Sequence, residues 1–154
     1  MIRKILSIIL VLFWMGFIFY NSSEIGEISD NKTKKIIVNV VSKVSKVDKD
    51  DQSMKDIIKK IKVPLRKSAH FFEYFLLAIL IMNMLLSFGL SKWNALICSI
   101  ICLLYAMSDE VHQLFTDGRS GCVSDVLLDS SASFIATYLF NRFINMRIKY
   151  EKNT

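Results

Sequence analysis

The sequence predicts an all-α membrane protein: four transmembrane helices in a small bundle, with an amphipathic helical loop between the first and second. Three observations predict it. Hydrophobic residues make up 53% of the 154, with 11 Phe, 7 Met and a single Pro, a balance foreign to a soluble domain of this length and ordinary for helices in lipid. Apolar runs recur at about 5–20, 69–90, 95–115 and 123–144, near the ~20 residues that a span requires. Polar residues gather at the ends of those runs instead of scattering through them. The length allows one domain, residues 1–154.

The formal charge is +6, but its distribution argues against nucleic acid. Residues 22–67 hold 12 Lys or Arg against 7 acids, and a basic segment tethered between spans meets anionic headgroups first. The partners expected are therefore membrane lipids. Three cysteines supply neither a disulfide framework nor a zinc ribbon. Cys98 and Cys102 fall inside an apolar run and read as small packing residues, while Cys122 lies in a polar turn.

Arg3 and Lys4 precede the first run, Ile5 to Tyr20. A basic start and apolar middle also fit a signal peptide, but no small-residue cleavage site follows. Trp14, Phe17, Phe19 and Tyr20 look like an interfacial belt, so an uncleaved span is the reading. Residues 24–63 are too charged to cross. Ile36, Ile37, Val40, Val41 and Val44 recur at helical spacing with Lys34, Lys35 and Lys43 elsewhere on the wheel. This is the pattern of a helix lying in the headgroup layer, capped by Ser29 or Asp30. Met54, Ile57, Ile58 and Ile61 repeat it in a second short piece, and residues 48–51 read as solvated loop. Pro64 is expected in the first turn of a new helix that becomes the second span. A short turn at Ser91–Lys92 leads to the third, and Asp117–Gly121 makes a tight turn before the fourth.

With four alternating spans, one membrane face receives the end of the first and third and the start of the second and fourth. Asn21–Ser23, then Lys67, His70 and Glu73, then Asp109, Glu110, His112 and Gln113, then Asp125 and Asp129 all lie at those ends. Lys67, His70, Glu73 and Tyr74 share one helical stripe, as do Asp109, His112 and Gln113, and as do Asp125 and Asp129. Ionisable groups at membrane depth are costly and mark function. The expected pocket uses His70, Glu73, Asp109, Glu110, His112, Gln113, Asp125 and Asp129 for chemistry, with Lys67 and Arg119 holding the substrate. Arg119 is the expected cation for the acids.

The segments RKSAHFFEYFLLA at 66–78 and YAMSDEVHQLFTDGRSGCVSDVLLDSSAS at 105–133 resemble the VanZ family, membrane proteins named for a teicoplanin-resistance determinant. FYNSSEIGEIS at 19–29 is similar to that family's first-span exit. The resemblance implies a cell-envelope setting, a link to glycopeptide tolerance, and the same polar residues as its characteristic set: His70, Glu73, Asp109, Glu110, His112, Gln113, Arg119, Asp125 and Asp129. The chain departs at 130–133, where SSAS stands in place of Asn and Gly.

Three readings compete. In the first, the pocket binds or modifies an envelope lipid or a cell-wall-linked headgroup. Arg119 and Lys67 hold a phosphate, and His70 or His112 is a general base tuned by Glu73 or Asp109. No cofactor is required, and a divalent metal on Asp109, His112, Asp125 and Asp129 is a variant. In the second, the chain is a small proton- or solute-coupled carrier. In the third, the cluster only locks helices together. Loop charge and terminal charge conflict over orientation, and Arg3–Lys4 with the basic tail favour both termini in the cytoplasm of a multi-pass cell-membrane protein.

Overall fold

The computed structural model describes residues 1–24, 26–45, 52–89, 91–119 and 121–153. Among them are five helices and no strand: α1 (Ile2–Ser22), α2 (Gly26–Ser45), α3 (Gln52–Phe88), α4 (Asn94–Gln113) and α5 (Val123–Asn153). The loop expected at 48–51 lies outside the described residues.

Three of these helices, α1, α3 and α4, are long and apolar enough to cross a membrane, with mean hydropathies of 2.1, 2.0 and 1.5 over their most apolar stretches. The fourth expected span does not meet that test. The reason is a polar stripe: Asp125, Asp129, Ser133, Thr137 and Asn141 recur every fourth residue along α5 and so share one face. Asp129, Ser133 and Thr137 on that stripe are buried. On other faces Phe134, Tyr138, Leu139 and Phe143 are exposed. Averaging over the helix hides an apolar surface behind a polar one.

Side-chain bonds fix the packing register. Trp14 Nε1 donates to the Glu73 carbonyl at 2.9 Å and Ser7 meets Ser87 at 3.2 Å, so α1 and α3 run antiparallel. Tyr105 Oη donates to the Met15 carbonyl at 2.6 Å and Ser22 Oγ to Asp109 Oδ2 at 2.8 Å, so α1 and α4 run parallel. Lys67 reaches Asp125, and further along Cys98 touches both the Ala78 carbonyl and Thr137, which sets α3 parallel to α5 and antiparallel to α4. The core between them is Ile18, Tyr74, Leu77, Ala78, Ile81, Cys98, Cys102, Ala106, Ala132 and Ala136. Small residues on α5 let it approach α3 and α4 closely. Cys98 and Cys102 are buried packing residues, as their spacing indicates.

The segment between the first and second spans differs from expectation in three ways. First, α2 begins at Gly26, which places Ser29 and Asp30 inside the helix, where the Ser29 carbonyl accepts Thr33 Oγ1 at 3.0 Å. Second, its apolar stripe is divided. Ile37 is buried, while Ile36 and Val40 are exposed, because α2 packs on the start of α3 through Asp30, which pairs with Lys62 and Arg66. Third, Pro64 lies inside α3 instead of in a first turn, and Met54–Ile61 form the opening turns of that same helix. Proline removes one backbone bond, to the carbonyl four residues before it. Pro64 and Lys60 are both exposed, so the carbonyl left without its helical donor lies on the outer side of the helix, where it need not go unsolvated and the helix continues. At ~1.5 Å per residue the 37-residue α3 is ~55 Å long, well beyond a ~30 Å hydrocarbon core, so its first half has length to spare for α2. Trp14 of the expected belt also packs within the bundle. It is half-buried, stacked on Phe17 at 5.0 Å.

Candidate functional site

The site is assembled by three consecutive residues at the end of α1. Asn21 Nδ2 donates to Glu73 Oε1 on α3 at 2.7 Å, Ser22 Oγ donates to Asp109 Oδ2 on α4 at 2.8 Å, and Ser23 Oγ lies 3.3 Å from His112 Nε2. A helix terminus leaves carbonyls without partners. Here Arg119 supplies donors for them: Nη2 to the Asn21 carbonyl at 3.2 Å and Nε to the Glu24 carbonyl at 3.1 Å. Burial in the turn pulls its guanidinium below the usual value. Arg119 therefore grips backbone and has no carboxylate within ion-pair distance among the described residues, while Glu24, Asp109 and Asp30 remain within its electrostatic range.

Two glycines bring that turn to α1. A Cβ on Gly26 would lie 2.1 Å from the Gly118 carbonyl oxygen, and Gly118 has φ +72°, a conformation that glycine adopts without penalty. The Gly26 N–H donates to the Asp117 carbonyl at 3.0 Å. Sequence reasoning placed Gly118 in a turn but found no role for Gly26 or for Asn21–Ser23 beyond closing a span. A polar triplet ending an apolar helix, followed by Gly, was the available signal.

Deeper, Asp109, Glu110, Gln113 and Asp129 are all buried. Gln113 Nε2 donates to Asp109 at 3.2 Å and sits 3.4 Å from Glu110 Oε1. Glu110 Oε2 accepts the Cys122 N–H at 2.8 Å, placing a carboxylate where α5 begins and its dipole favours negative charge. His70 Nδ1 is 3.4 Å from Glu73 Oε2, inside ion-pair reach but without hydrogen-bond geometry, and it lies within electrostatic range of Asp109 and Asp129. Tyr74 Oη, Asp109 Oδ1 and Asp129 Oδ1 are buried without a hydrogen-bond partner among the described residues.

Other expected members have partners of their own. His112 turns toward α1, its ring edge-on to Phe19 at 4.2 Å. Lys67 is committed to Asp125 at 2.6 Å, a half-exposed pair that pins α3 to α5 at the rim. Among the described residues no three of His, Cys, Asp and Glu come together as metal ligands, so the metal variant on Asp109, His112, Asp125 and Asp129 has no geometric support.

Between the end of α1, α2 and the middle of α3 lies a cleft of about 440 Å³. Asn21, Arg119, Arg66, His70 and Glu73 line it, with Phe72 at the α3 wall. Phe72 is 68% exposed and Ile36 on α2 55%, so the apolar wall continues onto the outer surface of the bundle. The cleft thus joins fixed polar groups to an apolar exit.

The VanZ/LLP1 family model matches residues 7–145, which takes in most of α1, all of α2 to α4, the groups just described and most of α5. The chain belongs to the VanZ/LLP1 family. No match to a curated protein or to a solved structure was found. The VanZ/LLP1 match includes α2 and the start of α3, so the segment that walls the cleft is part of the family unit.

Proposed function

We propose that this VanZ/LLP1 protein binds the phosphate-bearing headgroup of an envelope lipid in the cleft under α2. The observation that carries the reading is Arg119: a part-buried guanidinium held by two carbonyls, with no carboxylate partner among the described residues, at a cleft with an apolar exit. Carbonyls fix the guanidinium in place without cancelling its charge, which leaves it suited to an oxyanion. Lys67, occupied by Asp125, serves here to hold the helices and not the ligand. His70 beside Glu73 is the group placed to act as a base if the bound headgroup is also modified. On this reading α5 crosses as a fourth span, with its polar stripe turned inward, and both termini are cytoplasmic. The cleft then opens on the outer face, where a glycopeptide such as teicoplanin acts and where altered headgroup handling would change tolerance.

A second reading has support of its own. Asn21–Glu73, Ser22–Asp109 and Lys67–Asp125 each join two helices, as a purely structural lock would. Lipid binding separates the two. In detergent, Arg119→Gln should weaken phospholipid binding at least about tenfold in protein that remains folded, while loss of its carbonyl contacts lowers stability by about 1–2 kcal/mol. Lys92→Gln, at the other end of the bundle, should leave it unchanged. Unaltered binding by Arg119→Gln, or its loss only together with the fold, favours the lock.

A further inference from the structure

The cleft's charges are distributed in a way that selects among headgroups. Lys32 pairs with Glu24, while Lys62 and Arg66 share Asp30, so these three cations are offset by two carboxylates and leave the cleft one net positive charge. Two charged groups on the cleft wall stand outside the lysine and arginine pairs among the described residues: Arg119, bonded to carbonyls with no carboxylate within ion-pair distance, and Glu73, bonded to the Asn21 amide with the His70 ring 3.4 Å away. Both are held by the same residue. Arg119 Nη2 sits 3.2 Å from the Asn21 carbonyl, and Asn21 Nδ2 sits 2.7 Å from Glu73 Oε1. A cation and an anion are therefore fixed one asparagine apart. The Trp14 indole on the Glu73 carbonyl steadies the acidic end.

Resting on the headgroup reading above, we infer that the ligand is a zwitterionic lipid headgroup, a phosphate and a primary amine joined by a short linker. The phosphate meets Arg119, the amine meets Glu73, and the acyl chain leaves along Phe72 and Ile36. Of the two carboxylates on the cleft wall, Glu24 is paired with Lys32, and Glu73 is the one that no lysine or arginine reaches among the described residues. A primary ammonium donates hydrogen bonds to a carboxylate, whereas a quaternary ammonium offers none and a glycerol headgroup brings no positive charge. An anionic headgroup without an amine leaves Glu73 facing like charge.

Binding of phosphatidylethanolamine, phosphatidylglycerol and phosphatidylcholine to the full chain in detergent, read by native mass spectrometry, tests this. Phosphatidylethanolamine should bind about tenfold more tightly than the other two. Glu73→Gln, which keeps an oxygen for Asn21, should abolish that preference while retaining phosphatidylglycerol. The wild-type comparison stands even if Glu73→Gln does not fold. Arg119-dependent binding that ranks phosphatidylglycerol equal or first would overturn the amine assignment and leave the headgroup reading intact. Binding of all three that ignores Arg119→Gln would overturn both. Soluble phosphoethanolamine competing at the same concentration as the lipid would overturn the lipid source and assign the chemistry to a free solute.

Discussion

Asn21, Ser22 and Ser23 each reach a different side chain on α3 or α4, so the exit of α1 decides which polar groups meet. Ser22 is fully buried against Asp109. Ser22→Ala should lower stability by about 1 kcal/mol, the scale of a buried hydrogen bond in a helical membrane protein, read as a lower midpoint of thermal unfolding in detergent. Cys122 offers a second residue-scale test. The Ser124 hydroxyl at 3.1 Å pulls its exposed thiol below the ordinary value. Ser124→Ala returns the thiol toward that value, which lowers the thiolate fraction at neutral pH and should slow maleimide labelling. Labelling at an unchanged rate would remove Ser124 as the cause. At this scale the sequence located the polar residues well, because charge at the end of an apolar run is visible without coordinates. It paired them poorly. Lys67 and Arg119 look alike as cations on one face, yet one is spent on Asp125 and the other on two carbonyls. Which donor meets which acceptor depends on helix register, and no single helix encodes that.

The linking segment carries the largest differences between pattern and structure at the scale of the element. Proline disfavours a helix interior, so Pro64 read as a beginning; the bond it forfeits is tolerated on the exposed side of a helix with tertiary support from α2. Pro64→Ala should therefore leave the fold intact and raise stability, by up to about 3 kcal/mol, with unchanged far-ultraviolet circular dichroism. A fall in stability would mean that the proline stiffens something the helix needs. Gly26 behaves oppositely. Alanine there collides with the Gly118 carbonyl, and Gly26→Ala should cost about 1–3 kcal/mol as the turn is pushed away. Because that turn holds Arg119, headgroup binding should fall together with stability.

At the scale of the whole molecule, segregation of polar residues to one end of the bundle was legible because alternating spans leave few arrangements, and the register bonds gather those ends around α1. The number of crossings was less legible. Hydropathy averages over all faces of a helix, while α5 buries Asp129, Ser133 and Thr137 and exposes Phe134, Tyr138 and Leu139. If α5 crosses, Cys122 and a cysteine introduced at Lys149 label from opposite sides of the membrane with an impermeant maleimide. Labelling from one side would make α5 a surface element and shift the charge balance that orients the chain.

The central claim is that the end of α1 joins α3 and α4 around one cleft, and the Ser22–Asp109 contact at 2.8 Å probes it most directly. Ser22→Cys with Asp109→Cys, in a chain whose three native cysteines are serine, should be bridged within one chain by a short bifunctional thiol reagent in membranes, since Ser22 Oγ and Asp109 Oδ2 are in contact. Thiols that stay unbridged, although both residues are present in folded protein, would contradict the account.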